Sequence, residues 1–244
     1  MKKFIPPLAA VFFSLTLFSA TSALAENTAV VPAPRDANWV KRHEALLAES
    51  QARKDSVDLL FIGDSITDGW DGKGKAVYDK YYVPRNVLNL GIGGDRTQHV
   101  LWRLQHGEVD GLHPKATVLL IGINNTSKER DGSERNTAPE VIEGVTAVVK
   151  EIQQRLPKTK LLLLAVFPYK QKGDPMRDKV DEINKGIRKL GKRKNVTFLD
   201  INKKFLEPDG TLSTNIMPDL LHPNERGYQI WAEAMEPTLK KLMK

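Results

Sequence analysis

The sequence predicts a three-layer α/β/α domain with a flavodoxin-like, doubly wound sheet of five parallel strands. Two patterns support this fold class. Short apolar stretches alternate along the chain with segments of helical periodicity, which is the order of a parallel α/β protein. The apolar stretches are nearly continuous, as expected where helices cover both faces of a sheet. The predicted strands are residues 57–62, 87–90, 116–121, 161–167 and 196–199, and the predicted helices are a short one from Ala37, residues 96–106, 138–155 and 176–193, and a last one after Pro223.

The start of the chain has the three parts of a secretory signal peptide. Two lysines precede an apolar stretch from Phe4 to Phe18, and Ala23-Leu24-Ala25 supplies small residues for cleavage. We therefore expect an exported protein, periplasmic or secreted, with no stable membrane insertion after cleavage. The predicted organisation is a signal peptide over residues 1–25, a flexible linker over residues 26–36 and a single domain over residues 37–244.

Composition excludes several classes of function. The chain has no cysteine, so disulfides, thiolate catalysis and cysteine-based metal sites are excluded. Cleavage would remove Lys2 and Lys3 and lower the formal net charge of +7 by two. The remaining positive charge is scattered over lysine-rich helices, which is typical of solvated helix faces. We expect no nucleic-acid partner.

The first predicted strand ends abruptly at Gly63-Asp64-Ser65. In open α/β sheets, ligands bind at the carboxyl ends of the strands, so a serine placed there can aim its hydroxyl into a crevice. Ser65 is therefore a candidate nucleophile. The alternative is that Asp64 and Ser65 only cap the following helix.

Two later strands also end in residues that suit a polar site. Gly91-Ile92-Gly93-Gly94 follows the second strand and can bring backbone amides close to an anion. Its spacing differs from the Gly-x-Gly-x-x-Gly pattern of dinucleotide sites, which argues against a nucleotide cofactor. Asn124 and Asn125 follow the third strand. They could form an ordinary Asx-turn, or present a side-chain amide to a developing negative charge.

Asp219-Leu220-Leu221-His222-Pro223 precedes the last predicted helix. Residues three apart in one turn can face each other, so Asp219 could fix the tautomer of His222. The other ring nitrogen would then be available to take a proton from a hydroxyl. One alternative is that both residues cap the helix. Metal binding is a weaker one, because an Asp and a His without a third ligand nearby make a poor site.

Together these blocks resemble the SGNH hydrolases, also called GDSL hydrolases. Gly63-Asp64-Ser65, Gly94, Asn124 and Asp219-x-x-His222 occur in that family's order and at its strand ends. The longer string from Asn89 to Leu104 looks like the catalytic subunits of platelet-activating factor acetylhydrolase type Ib and their bacterial relatives. The resemblance spans nearly all of the chain after residue 56 and implies the SGNH hydrolase fold.

Carried over residue by residue, the resemblance assigns a role to each block. Ser65 would be the nucleophile, His222 the general base and Asp219 its orienting partner. The oxyanion donors would be the backbone amides of Ser65 and Gly94 and the side-chain amide of Asn124. The implied activity is hydrolysis of carboxylic esters, with short acyl groups such as acetate favoured, through an acyl-enzyme and without metal or cofactor.

The same blocks contain two residues that we assign to substrate binding, Asp64 and Asn125. Asn125 stands where many family members carry aspartate, although the acetylhydrolase-like branch also has asparagine. Ile66 replaces the family's usual leucine, a swap with little chemical consequence. Two alternatives to hydrolysis stay open: acyl transfer to a glycan hydroxyl, and a non-catalytic binding module on the same fold.

The substrate is predicted only as a small-molecule or glycan ester. The connections 126–137 and 168–176 follow strand ends, and their polar character favours a carbohydrate ester over a bulky lipid. Tyr169 and Trp70 could be sugar platforms, but packing roles are favoured for both. The eukaryotic relatives pair with like subunits, so a homodimer is one expectation.

Overall fold

A computed structural model describes residues 1–2 and 26–244 of the chain. The predicted signal peptide, residues 1–25, therefore lies almost entirely outside the described residues. Within the described part, no helix combines the length and apolar character needed to cross a membrane.

The described domain is built on one sheet of five parallel strands in the order β2-β1-β3-β4-β5, which confirms the predicted fold class. β1 lies between β2 and β3, and at its carboxyl end Gly63 pairs with Gly91 and Leu120. The strand order changes direction at β1, and this switch point is where open α/β sheets form their crevice. The strands are β1 Leu59–Gly63, β2 Val87–Gly91, β3 Ala116–Leu120, β4 Lys160–Leu164 and β5 Val196–Leu199.

Helices cover both faces of the sheet. Helices α4, α5 and α6 pack side by side on one face, and α3 packs against α7 on the other. Strands β1, β2 and β3 are buried along their whole lengths, which explains why they lack a polar face. The helices are α1 Ala37–Ala52, α2 Ser65–Asp68, α3 Lys75–Tyr81, α4 Thr97–Gln105, α5 Ala138–Arg155, α6 Pro175–Ile187 and α7 Glu225–Leu242.

A cluster of aromatic side chains joins α7 to the segment that follows β1. Trp70 lies with its ring centroid 4.5 Å from that of Tyr228 and 4.7 Å from that of Trp231. The Tyr228 hydroxyl donates to the Ile66 carbonyl at 2.7 Å, which ties α7 to α2. The start of α7, and the turn before it, are thereby held beside the carboxyl end of β1.

Residues 26–36 are not the flexible linker that their composition predicts. Thr28–Val30 forms a 3₁₀ turn, and Ala29 is fully buried. The Thr97 hydroxyl donates to the Ala29 carbonyl at 2.7 Å, and the Ala33 amide donates to the Gln98 carbonyl at 3.2 Å. The prediction was wrong because these polar, proline-containing residues find their partners in α4 and α5, far along the chain.

Candidate active site

Ser65 is the first residue of α2, and only Asp64 separates it from β1. The Asp64 side chain accepts a hydrogen bond from the Ile66 amide at 3.0 Å and so caps this short helix. The turn depends on Gly63, because a Cβ there would lie 2.1 Å from Thr67 Oγ1 and 2.4 Å from the Leu120 carbonyl oxygen. The close approach of these segments sets Ser65 at the carboxyl edge of the sheet with its side chain partly exposed.

His222 and Asp219 lie in the turn that leads into α7. The His222 Nδ1 atom is 2.7 Å from Asp219 Oδ2, and the amides of Leu221 and His222 donate to Asp219 Oδ1 at 3.1 and 2.7 Å. Asn224, not either of these residues, caps α7, since its side chain accepts from the Gly227 amide. The helix-cap alternative for Asp219 and His222 is therefore wrong.

These contacts stabilise the ionised form of Asp219. Partial burial by itself would raise the pKa of this carboxyl, but the hydrogen bonds from the His222 amide and imidazole outweigh it and lower the pKa below its usual value. Asp219 is thus held as a carboxylate facing the ring. A carboxylate in this position favours a proton on Nδ1 and leaves Nε2 as an acceptor.

Ser65 and His222 meet although 157 positions separate them in the sequence. The Ser65 Oγ atom is 3.0 Å from His222 Nε2, which is hydrogen-bonding distance. The turn that carries the histidine is braced by the connection after β4, where the Lys170 amide donates to the Leu220 carbonyl at 3.2 Å. The geometry forms a continuous chain from hydroxyl to imidazole to carboxylate, the arrangement that activates a serine.

The loop after β2 passes beside Ser65. A Cβ placed on Gly93 would lie 3.9 Å from the Ser65 Cβ. Gly94 has a φ of +80°, a left-handed conformation that favours glycine, and it is exposed. The loop therefore brings the Gly93–Gly94 peptide to the crevice, where its N–H group can serve as a donor.

Asn124 completes this side of the crevice. Its side-chain nitrogen donates to the Asp95 carbonyl at 2.9 Å, and its backbone carbonyl accepts from Arg135 at 2.9 Å. A carboxamide has two N–H bonds. Among the described residues only the Asp95 carbonyl is bonded to this nitrogen, so its second hydrogen can reach a ligand.

Asp64 and Asn125 lie below the crevice instead of lining it, and both are 0% exposed. The Asn125 side chain accepts from the Thr97 amide at 3.0 Å, and its nitrogen lies 3.0 Å from the Asn136 side-chain oxygen. Burial raises the pKa of Asp64 to about 7, and the neighbouring charge of Asp95 adds to the shift. We therefore correct the prediction that Asp64 and Asn125 contact substrate: both support the loops from within.

The sequence did not reveal a buried charged cluster behind the loop that contains Gly93 and Gly94. Asp95 is fully buried and accepts from the Trp39 indole at 2.6 Å and from Arg103 Nε at 2.9 Å. Arg103 also pairs with Glu108, and Glu108 contacts His43 at 3.4 Å. Arg103, which stands between the apolar residues Trp102 and Leu104 near the end of α4, is the one sequence signal that could have indicated this cluster. The cluster anchors the end of the loop that contains Gly94.

The remaining candidates have structural roles. Trp70 is fully buried in the core, and Tyr169 is half-buried with the Lys170 ammonium 5.0 Å from its ring centroid. His99 is buried and accepts from the Arg96 amide, and burial, with the surrounding arginines, lowers its pKa to about 3. Across residues 26–244, no group of three or more side chains is arranged to hold a metal ion.

Comparisons with known proteins identify the family of the chain. Residues 61–230 match the model of the GDSL-like lipase/acylhydrolase family. Human platelet-activating factor acetylhydrolase IB subunit alpha1 is 33% identical over 224 residues, which cover 89% of this chain and 92% of that protein. Subunit alpha2 from Rattus norvegicus is 33% identical over 209 residues, which cover 85% of this chain and 86% of that protein.

Solved structures share the fold. A GDSL-like lipase from Bacteroides thetaiotaomicron has a TM-score of 0.66 at 18% identity, covering 82% of this chain and 97% of that one. Axe2, an acetylxylan esterase from Geobacillus stearothermophilus, has a TM-score of 0.59 at 24% identity, covering 75% of this chain and 93% of that one.

Proposed function

Because the chain belongs to the GDSL-like lipase/acylhydrolase family and is a carboxylic ester hydrolase, we propose that Ser65, His222 and Asp219 form its catalytic triad. The observation that carries the proposal is the unbroken contact from Ser65 Oγ to His222 Nε2 at 3.0 Å and from His222 Nδ1 to Asp219 Oδ2 at 2.7 Å.

The chemistry follows from these contacts. His222 Nε2 takes the proton of Ser65 as Oγ attacks the ester carbonyl carbon and the carbonyl π electrons move to oxygen. When the tetrahedral intermediate collapses, the bond to the alkoxy group breaks and His222 protonates the departing alcohol. Water then attacks the acyl-serine with His222 again as base, which releases the acid and regenerates Ser65. Asp219 stays ionised and stabilises the imidazolium.

In this proposal, three donors stabilise the negative oxygen of the intermediate. They are the backbone amides of Ser65 and Gly94 and the free side-chain hydrogen of Asn124. Fixed donors of this kind need no reorganisation as charge develops, and removal of one typically costs about 10²–10³ in rate.

We further propose short acyl esters, acetate above all, on a carbohydrate as the substrate class. Two observations support this choice. The relatives named above are an acetylhydrolase and an acetylxylan esterase. Arg135, whose side chain donates to the Asn124 carbonyl, also lines a cavity of about 410 Å³ that includes charged and amide side chains able to bond sugar hydroxyls. Arg96, Gln98, Glu129 and Arg135 are among the residues that line this cavity.

The proposed location is outside the cytoplasm. The basic and apolar start of the chain and its small residues at Ala23 and Ala25 support export and cleavage. Edman sequencing of the protein recovered from the medium or periplasm tests this. A mature chain that starts at Glu26 is the expected result, and full-length protein retained in the cytoplasm would contradict it.

The catalytic proposal is tested with Ser65→Ala. This variant should lose hydrolysis of p-nitrophenyl acetate and acetate release from acetylated xylo-oligosaccharides, because no other hydroxyl faces His222 Nε2 among the described residues. Ser56→Ala is a matched control, since Ser56 is an exposed serine in the turn before β1. Full activity of Ser65→Ala would overturn the proposal. Product analysis with added glycan acceptors would distinguish hydrolysis from acyl transfer.

A further inference from the structure

We propose that Arg35 is a positioning residue for the loop after β2 that contains Gly93 and Gly94, and that residues 26–36 form a strap that completes the active site. The inference rests on the function proposed above and adds a part of the site that the triad and its donors do not include. Arg35 lies ahead of α1 and is remote from Ser65 in the sequence.

Arg35 binds the Gly93–Gly94 peptide, whose N–H group we assign as an oxyanion donor. Its Nη1 atom donates to the Gly93 carbonyl at 2.7 Å and lies 3.6 Å from Asp95 Oδ1. The guanidinium also lies over Gly94, where a Cβ would be 3.0 Å from Nη1 and 3.3 Å from Nη2. The side chain is 31% exposed, so part of the guanidinium reaches solvent next to Gly94.

The contact matters because the Gly93 carbonyl and the Gly94 N–H belong to one peptide group. A trans peptide is planar, and its carbonyl and N–H point in opposite directions. The described residues contain no cis peptide. Fixing the carbonyl with a charged donor therefore fixes the direction of the N–H. It also polarises the peptide, which strengthens that N–H as a donor.

The strap holds Arg35 in place through contacts on both sides. At its start, the Asn27 side chain donates to Glu143 of α5 at 2.8 Å. In its middle, Ala29 packs over Gly144, where a Cβ would lie 2.9 Å from the Ala29 carbonyl oxygen and 3.0 Å from its Cβ. Asp36 then caps α1 by accepting from the amides of Asn38 and Trp39.

The strap also touches the network beneath the second donor. The Asn136 side chain donates to Thr28 Oγ1 at 3.1 Å and accepts from Asn125 at 3.0 Å. Asn125 is the neighbour of Asn124 and also bonds Thr97. The loops that carry the two non-serine oxyanion donors are thus both tied to residues 26–36.

Replacement of Arg35 tests the inference. Arg35→Met should lower kcat for p-nitrophenyl acetate about 10- to 100-fold, less than full loss of a donor, while KM changes less than about threefold. Arg35→Lys should retain an intermediate kcat, because an ammonium can reach one carbonyl but does not cover Gly94 in the same way. Added guanidinium ion should restore part of the activity of Arg35→Ala but none of the activity of Asn124→Ala.

Arg53→Met is the matched control. Arg53 donates to the Val87 carbonyl at 2.8 Å at the other end of β2 and is 34% exposed, so its loss should leave kcat unchanged. Equal kcat in Arg35→Met and Arg53→Met, or a change in KM alone, would overturn the inference. If the Arg35 inference fails in this way but Ser65→Ala is inactive, the proposed triad still stands. An active Ser65→Ala variant would instead contradict the proposed function itself. If Arg35→Met fails to fold, the Arg35→Lys and guanidinium measurements decide.

Discussion

His222 and Asp219 are joined by two hydrogen bonds within one turn: Nδ1 meets Oδ2 at 2.7 Å, and the His222 amide meets Oδ1 at 2.7 Å. One carboxylate thus orients both the ring and the backbone that carries it. Leu220, between them, has a φ of +60°. A left-handed conformation is costly for a leucine, and it is held here by contacts on either side of the turn.

Asp219→Asn should leave the protein folded but lower kcat by roughly 10³–10⁴, because an amide can present N–H to Nδ1 and so stabilise the wrong tautomer of His222. The Asn oxygen can still accept from the two backbone amides, so thermal unfolding should shift little. Steady-state kinetics on p-nitrophenyl acetate and calorimetry are the two measurements.

Asp209→Asn is a suitable control for that substitution. Asp209 also sits in an exposed Asx-type turn, where it accepts from the amide and hydroxyl of Thr211 at 2.9 and 2.7 Å, but it faces no histidine. Its replacement should not alter kcat. A loss of less than tenfold in Asp219→Asn would mean that the carboxylate does not orient the base.

Asn124→Ala should lower kcat by about 10²–10³ through loss of one oxyanion donor. The Asp95 carbonyl also loses its bond from Asn124, so a modest fall in stability is expected with it. Steady-state kinetics should show a lower kcat with KM nearly unchanged, because a donor used only in the transition state alters kcat. A decrease of only a few-fold would exclude Asn124 from the oxyanion site.

The neighbouring substitution Asn125→Ala should have a different result. Asn125 is fully buried and bonds Thr97, Gln98 and Asn136, so its removal leaves buried polar groups unpaired and should cost about 2–4 kcal/mol of stability. At a temperature where the variant stays folded, kcat should remain within about tenfold of the parent. Urea unfolding measures the first effect. A stable variant with strongly raised KM would instead restore a substrate-contact role.

The fold could be predicted from the sequence because the strands carry their own signal. Strands buried on both faces read as continuous apolar runs, and α5 was predicted with the bounds Ala138–Arg155 that the structure gives it. Helices α2 and α3 were missed because four and seven residues are too few to show helical periodicity. The predicted helix 176–193 ends as an α-helix at Ile187 and continues as the 3₁₀ segment Arg188–Lys192.

The site could be predicted only in part. Ser65, Gly94 and Asn124 follow strands, and the carboxyl ends of parallel strands meet at one edge, so sequence position alone implied that they converge. The strap could not be predicted, because the Arg35–Gly93 contact joins residues 58 apart through a side chain and a backbone carbonyl. Nothing in local composition encodes such a pair.

The same reasoning failed for Asp64. Its place in the motif suggested a residue that reaches substrate, but its side chain turns inward and caps α2. One carboxyl oxygen, Oδ2, is buried with no hydrogen-bond partner among the described residues. Burial disfavours the charged form and raises the pKa of Asp64 to about 7. A titratable group therefore lies directly under the proposed nucleophile.

This shift predicts how stability changes with pH. In the unfolded chain the Asp64 carboxyl ionises at its ordinary pKa of 3.8, so between about pH 4 and pH 7 the folded protein holds a proton that the unfolded chain has released. The stabilisation from this proton is therefore fully present below about pH 4. It decreases as the pH rises from 4 and is lost once the pH has passed about 7. The rise of this pKa from 3.8 to about 7 corresponds to about 4 kcal/mol.

Asp64→Asn isolates the effect. The Asn side chain keeps the acceptor for the Ile66 amide but cannot ionise, so the free energy of unfolding of the parent should fall relative to the variant by up to about 4 kcal/mol from pH 4 to pH 8. Urea unfolding of both proteins at several pH values measures this difference. The amide nitrogen of the variant lies where Oδ2 has no partner, which lowers the stability of the variant by the same amount at every pH. The test is therefore how the difference in unfolding free energy changes with pH, not its absolute size. Parallel curves for the two proteins would show that Asp64 ionises normally.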